Sequence, residues 1–227
     1  MVDYVEAIKR PFTDLTALVI GIIMAIIPVV NIFVPAGYAV KSAQKTFGKD
    51  NALPKWDNWG DIIVKGIVVF IIDIIYMIPA FIFLALGVAG MFAVLFDKIP
   101  MTVWESGNMM AIQTQFFSLI PELLAAGGIP LIIGVILAVV AAFITPMAVI
   151  FYAKENRFGA AFKVGEVLKT VLTGPYIISW IIVIIYGGIL SLVLSIIPYI
   201  GSAIAAFIVL VTSYTVFAQA YMQVKGQ

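Results

Sequence analysis

The sequence predicts an all-α protein, a bundle of helices crossing a lipid bilayer about five times. Three observations lead there. Of 227 residues, 63% are hydrophobic and only 11% charged, where a soluble domain is about half apolar and about one quarter charged. The mean hydropathy is +1.16, more apolar surface than a water-soluble fold of this size can hide. The apolar runs reach the roughly 20 residues a helix needs to cross a core about 30 Å thick. They are too long and continuous for barrel strands.

Five stretches qualify as spans: 15–39, 62–96, 129–153, 176–197 and 199–224. Pro28, Asn31 and Pro35 interrupt the first, which can be read instead as a re-entrant hairpin of two half-helices. The full span is the favoured reading. Pro79 interrupts the second, and Pro198 leaves almost no loop between the last two, implying a tight hairpin. Residues 1–14 form an interfacial segment, with Val5, Ile8 and Phe12 along one side of a short amphipathic helix. The acids Asp3 and Glu6 precede the first Lys, unlike a secretory signal, so the N-terminus reads as mature sequence. The whole is read as one membrane domain.

Lysines set the orientation. Lys41, Lys45, Lys49, Lys55 and Lys65 fall on one connection. Lys154, Arg157, Lys163 and Lys169 fall on another, and Lys225 follows the last span. Five spans place these ten on one side against Lys9, Arg10 and Lys98. The positive-inside bias makes the loops 40–65 and 154–175 and the C-terminus cytoplasmic in a cell membrane. Trp56, Trp59 and Trp180 mark the inner boundary, and Trp104 the outer loop.

A parallel internal repeat is suggested. Pro35 precedes Phe47-Gly48 as Pro146 precedes Phe158-Gly159, and the following spans run Ile71-Ile72 to Tyr76 and Ile181-Ile182 to Tyr186. Each unit is a helix, a basic loop and a returning helix.

The chemistry-bearing residues are few. There is no Cys and no His, which removes disulfides, thiolate or imidazole metal sites and the His general base. No cofactor and no metal site is expected, and an enzyme is the least expected class. The net charge of +1 speaks against a nucleic-acid partner. Asp73 is the one acid deep within an expected span. Gly66, Asp73, Ala80 and Gly87 recur every seven residues, a small-residue face that packs against other helices and turns Asp73 into the bundle. Such an acid is a candidate proton or cation site, with Asn31 and Tyr76 as partners. The second candidate is the loop carrying Trp56, Asp57, Trp59 and Asp61. It reads as a cap and anchor for the next helix, or as a docking surface. Two carboxylates are too few for a metal. Gly187, Ser191 and Ser195 form a further packing stripe. Around Lys163 and Lys169 an amphipathic helix should lie on the inner leaflet.

The run Leu53-Pro54-Lys55-Trp56-Asp57-Asn58-Trp59-Gly60-Asp61 is distinctive. Taken with Glu6 to Phe12, Gly37-Tyr38, Gly66, and Tyr76 before Pro79, it resembles a family of archaeal and bacterial multi-pass membrane proteins catalogued as domain of unknown function 4013. Lys55 stands where that family usually has Glu. The helix, basic loop, helix pattern also resembles, more weakly, the membrane domain of some glycerophosphodiester phosphodiesterases. The first resemblance implies a polytopic fold and carries no known activity or site residue.

Two classes of function follow. The first is a non-catalytic scaffold or assembly partner, in contact with membrane lipids and with a second copy or another membrane protein. The alternative is a small transporter or channel using Asp73.

Overall fold

A computed structural model describes residues 1–226. It is helical over 84% of its length with no strand among the described residues, so the class is all-α. The order is α1 (Tyr4–Lys9), a 3-10 turn (Arg10–Phe12), α2 (Leu15–Ile26), α3 (Val30–Phe47), α4 (Trp59–Lys98), α5 (Met101–Glu105), α6 (Met109–Ser118), α7 (Ile120–Glu155), a second 3-10 turn (Phe158–Phe162), α8 (Val164–Val171), α9 (Gly174–Leu194) and α10 (Ile200–Lys225).

Four helices, α4, α7, α9 and α10, are long and apolar enough to cross a membrane, where the sequence suggested about five. The stretch 15–39 is not one helix. It breaks at Ile27-Pro28-Val29, and α2 and α3 pack on each other as the hairpin that had been the second choice. Pro28 cannot donate the N–H that would continue α2. Val29 takes a left-handed conformation, φ 69° and ψ −47°, close to the γ-turn that reverses a chain in three residues. Asp14 caps α2, its Oδ1 accepting from the Ala17 N–H at 3.0 Å. Two compact bodies are distinguished, residues 1–74 with 143–226, and residues 75–142.

The first body is built around α10, whose inner positions from Phe207 to Tyr221 are largely buried. α9, α3, α2 and α1 all pack on it. Tyr38 of α3 and Phe207 of α10 lie 5.5 Å apart between ring centres, in a core with Leu18, Val34, Ile62 and Val211. α3 and the start of α4 approach to backbone contact. A Cβ on Gly37 would fall on the Ile62 carbonyl, and one on Gly66 on the Phe33 carbonyl. The expected small-residue packing is present at Gly66, and Phe33 closes the same crossing edge-on to Phe70 at 5.3 Å.

The second body holds the C-terminal part of α4, α5, α6 and the N-terminal part of α7. Its two long helices meet at glycines. A Cβ on Gly87 would lie 2.9 Å from the Gly127 carbonyl oxygen, and one on Gly134 2.9 Å from the Leu84 nitrogen. Ala80, 1% exposed, completes the heptad face at this level. Phe81, Ile82, Leu86, Ile132 and Ile136 on the outer flanks are exposed, as expected where lipid is the solvent.

Candidate functional site

The Leu53–Asp61 loop does more than anchor. Trp56 turns into the first body and stacks on Tyr38, ring centres 4.2 Å apart and planes 14° from parallel. Its Nε1–H donates to the Ala17 carbonyl at 3.1 Å, and Trp59 lies 5.2 Å away. The Tyr38 hydroxyl donates to the Pro54 carbonyl at 2.8 Å. One aromatic stack thus joins loop, α2, α3 and α10. Trp59 stays on the surface, 38% exposed, where a membrane-boundary ring belongs. Asn58 caps α4, its Oδ1 accepting from the Asp61 N–H at 3.2 Å. Asp61 pairs with Lys65 one turn on and with Lys41 of α3 at 3.6 Å. Asp57 is exposed.

Asp73 does not turn inward as expected. The buried face of α4 runs Ile62, Lys65, Gly66, Val69 and Ile72, following 3.6 residues per turn, and Asp73 stands exposed at its edge. Tyr76 is half-buried one turn on, and Asn31 is exposed in the first turn of α3. Phe33 against Gly66 and Phe70 brings Asn31 to about the level of Asp73.

The residue that sequence reasoning passed over is Arg10. It is 2% exposed. Nη1 donates to the Thr215 hydroxyl of α10 at 3.0 Å and to the Thr46 hydroxyl of α3. Nη2 donates to the carbonyls of Asp50 and Ala52, both at 3.2 Å. Burial pulls its pKa below the ordinary guanidinium value, opposed by Asp50, Tyr38 and Glu6. The segment before it is held as firmly. Gln219 and Gln223, one turn apart on α10, accept the backbone N–H groups of Asp3 and Val2 at 2.8 and 3.0 Å. Tyr4 meets Ser179 of α9 at 3.2 Å. Beside Arg10 a groove of about 350 Å³ is lined by Asp3, Glu6, Lys9, Thr13 and Asn51. The only sequence signal was Arg10 next to Pro11 within an otherwise amphipathic segment.

No three carboxylate, His or Cys side chains among the described residues gather as metal ligands. The acids Asp57, Asp61 and Asp73 are separated along the chain. The arrangement offers packing, ion pairs and an aromatic stack.

An all-α body with four membrane-length helices, apolar flanks and polar groups gathered at helix ends is an integral membrane protein. The chain belongs to the family described as Protein of unknown function (DUF4013), whose model matches residues 20–199. No curated protein and no solved structure matches it, so the likeness to phosphodiesterase membrane domains gains no support.

Proposed function

We propose that this protein is a non-catalytic membrane scaffold or assembly partner. One observation carries the reading. The first body is filled by side chains around α10 and tied by Arg10, while α4 and α7 leave long apolar flanks uncovered. A filled interior suits a fixed platform better than a conduit, and uncovered flanks suit lateral contact with lipids and protein partners. A second copy or another membrane protein is the partner class.

The cell membrane is the proposed location, with the basic loops and C-terminus in the cytoplasm. The hairpin fold of α2–α3 supports this orientation more strongly than a full span did. It returns Lys9 and Arg10 to the side of the other ten basic residues, leaving only Lys98 of the thirteen apart. Native mass spectrometry of gently extracted protein tests the scaffold. Self-association or a retained partner supports it, and a bare monomer under every mild condition rejects it.

Asp73 keeps a second reading alive, since an exposed carboxyl deep along an apolar helix is a candidate proton or cation site. Under that reading Asp73→Asn abolishes proton- or cation-driven flux in proteoliposomes while the protein stays folded. Equal flux in both proteins removes Asp73 from the mechanism.

A further inference from the structure

The first body contains the same turn twice. Ile26-Ile27-Pro28-Val29 joins α2 to α3, and Ile196-Ile197-Pro198-Tyr199 joins α9 to α10. Val29 has φ 69° and ψ −47°, and Tyr199 has φ 60° and ψ −53°. Asn31 donates to the Ile27 carbonyl at 2.9 Å, and Gly201 to the Ile197 carbonyl at 3.0 Å. Left-handed turn positions in water usually carry Gly, Asn or Asp. Here they carry Val and Tyr beside isoleucines, and both are widely exposed, Val29 66% and Tyr199 92%, as is Ile196 at 83%.

The two tips lie at one depth. α3 and α10 run parallel in register, Tyr38 against Phe207 and, eight residues on, Thr46 and Thr215 on the same Arg10 guanidinium. Val29 precedes Tyr38 by nearly the same number of residues as Tyr199 precedes Phe207. The depth follows from the shorter hairpin. Asp14, fixed as the cap of α2, is separated from the turn by 12 helical residues, a rise of about 18 Å. On the other limb Lys41, paired with Asp61 at 3.6 Å, lies about 17 Å from the turn. A hydrocarbon core is about 30 Å thick, so charges held at its near boundary leave the tip well short of the far one. Tilt shortens the reach further.

We propose that α9–α10, like α2–α3, is a re-entrant hairpin whose tip ends in hydrocarbon, although each of its helices is long enough to cross. The lower part of α9 does not contribute to depth. Tyr4 of the interfacial helix α1 reaches Ser179 there, beside Trp180, which puts this part of α9 at the level of the interface. The surface formed by Val29, Ile196, Ile197 and Tyr199 is a contact for acyl chains, and the paired hairpins displace lipid mainly from the leaflet they enter.

The absence of native Cys makes the test direct. Single variants Val29→Cys, Tyr199→Cys, Lys163→Cys and Glu105→Cys are treated with a membrane-impermeant maleimide on intact cells and on inverted vesicles. Lys163→Cys should label in one preparation and Glu105→Cys in the other. Val29→Cys and Tyr199→Cys should label in neither, and fully once detergent removes the bilayer. Both positions are exposed on the chain itself, so their protection comes from what surrounds the protein in the membrane. Labelling of Tyr199→Cys together with Glu105→Cys, at a comparable rate, overturns the proposal and makes α9 and α10 true spans.

Discussion

Arg10 and Thr215 are 205 residues apart in sequence and 3.0 Å apart in space, the guanidinium donating to a hydroxyl inside the central helix. The same side chain reaches Thr46 and two loop carbonyls. Removing it leaves two buried hydroxyls and two part-buried carbonyls without this donor. Arg10→Ala should therefore destabilise the fold, by about 1–3 kcal/mol for each buried hydroxyl left without its donor. Arg10→Lys keeps the charge but not the planar fork, and should recover part of the loss. Thermal unfolding in mild detergent orders the three proteins. Equal midpoints would reduce Arg10 to a bystander.

Trp56 acts through ring area and one N–H. Trp56→Phe keeps the stack on Tyr38 and loses the donor to the Ala17 carbonyl, a loss of about 1 kcal/mol. Trp56→Ala removes the ring as well and should cost about 3–5 kcal/mol. If Trp56 were only an interfacial anchor, both losses would be small and alike. Denaturant titration followed by the fluorescence of the remaining tryptophans separates the cases.

The all-α class was legible because lipid writes itself into composition. Helix existence at 62–96, 129–153, 176–197 and 199–224 followed from run length, whereas their true ends did not. α4 runs from Trp59 to Lys98 without ending at Pro79, which lies inside it; Asn58 supplies a cap on one side and the helix stops at Ile99-Pro100 on the other. The break at Pro28 was visible as a proline, but its consequence depends on Val29 adopting φ 69°, which composition does not encode. Asp73 stands seven residues from Gly66 and seven from Ala80, yet it is exposed where those two are buried, a difference that the spacing does not encode. Arg10 was invisible as a hub because its acceptors, Thr46, Thr215 and two carbonyls, come from three remote segments.

Asp50 carries a pH dependence. Its carboxylate accepts from the Lys45 ammonium at 2.8 Å and from the Ala52 N–H at 2.9 Å, which hold its pKa below the usual carboxylate value, Lys45 first. A depressed folded-state pKa stabilises the fold at pH values above the unfolded value of about 4 and is lost as pH falls through the lower folded value. Unfolding midpoints should thus drop on acidification through that window, and Asp50→Asn should flatten this part of the profile. The Asp50 carbonyl still accepts from Arg10 in the variant, so the midpoint at neutral pH should move less than in Arg10→Ala. An unchanged acid limb would assign the dependence to another carboxylate.

Gly66 and Gly188 give opposite expectations from the same residue type. A Cβ at Gly66 lands on the Phe33 carbonyl, which is backbone and cannot rotate away. Gly66→Val must push α3 from α4, opening the contacts of Gly37 on Ile62 and of Phe33 on Phe70. Overpacking of this kind costs about 1–3 kcal/mol. At Gly188 a Cβ meets nothing within 4 Å, so Gly188→Ala should be neutral or gain up to about 1 kcal/mol of helix propensity. Unfolding midpoints in detergent compare them. The contrast isolates packing from glycine flexibility, because both positions lie within regular helices. Matching losses at the two sites would mean that flexibility, and not the close approach of α3 and α4, is what Gly66 provides.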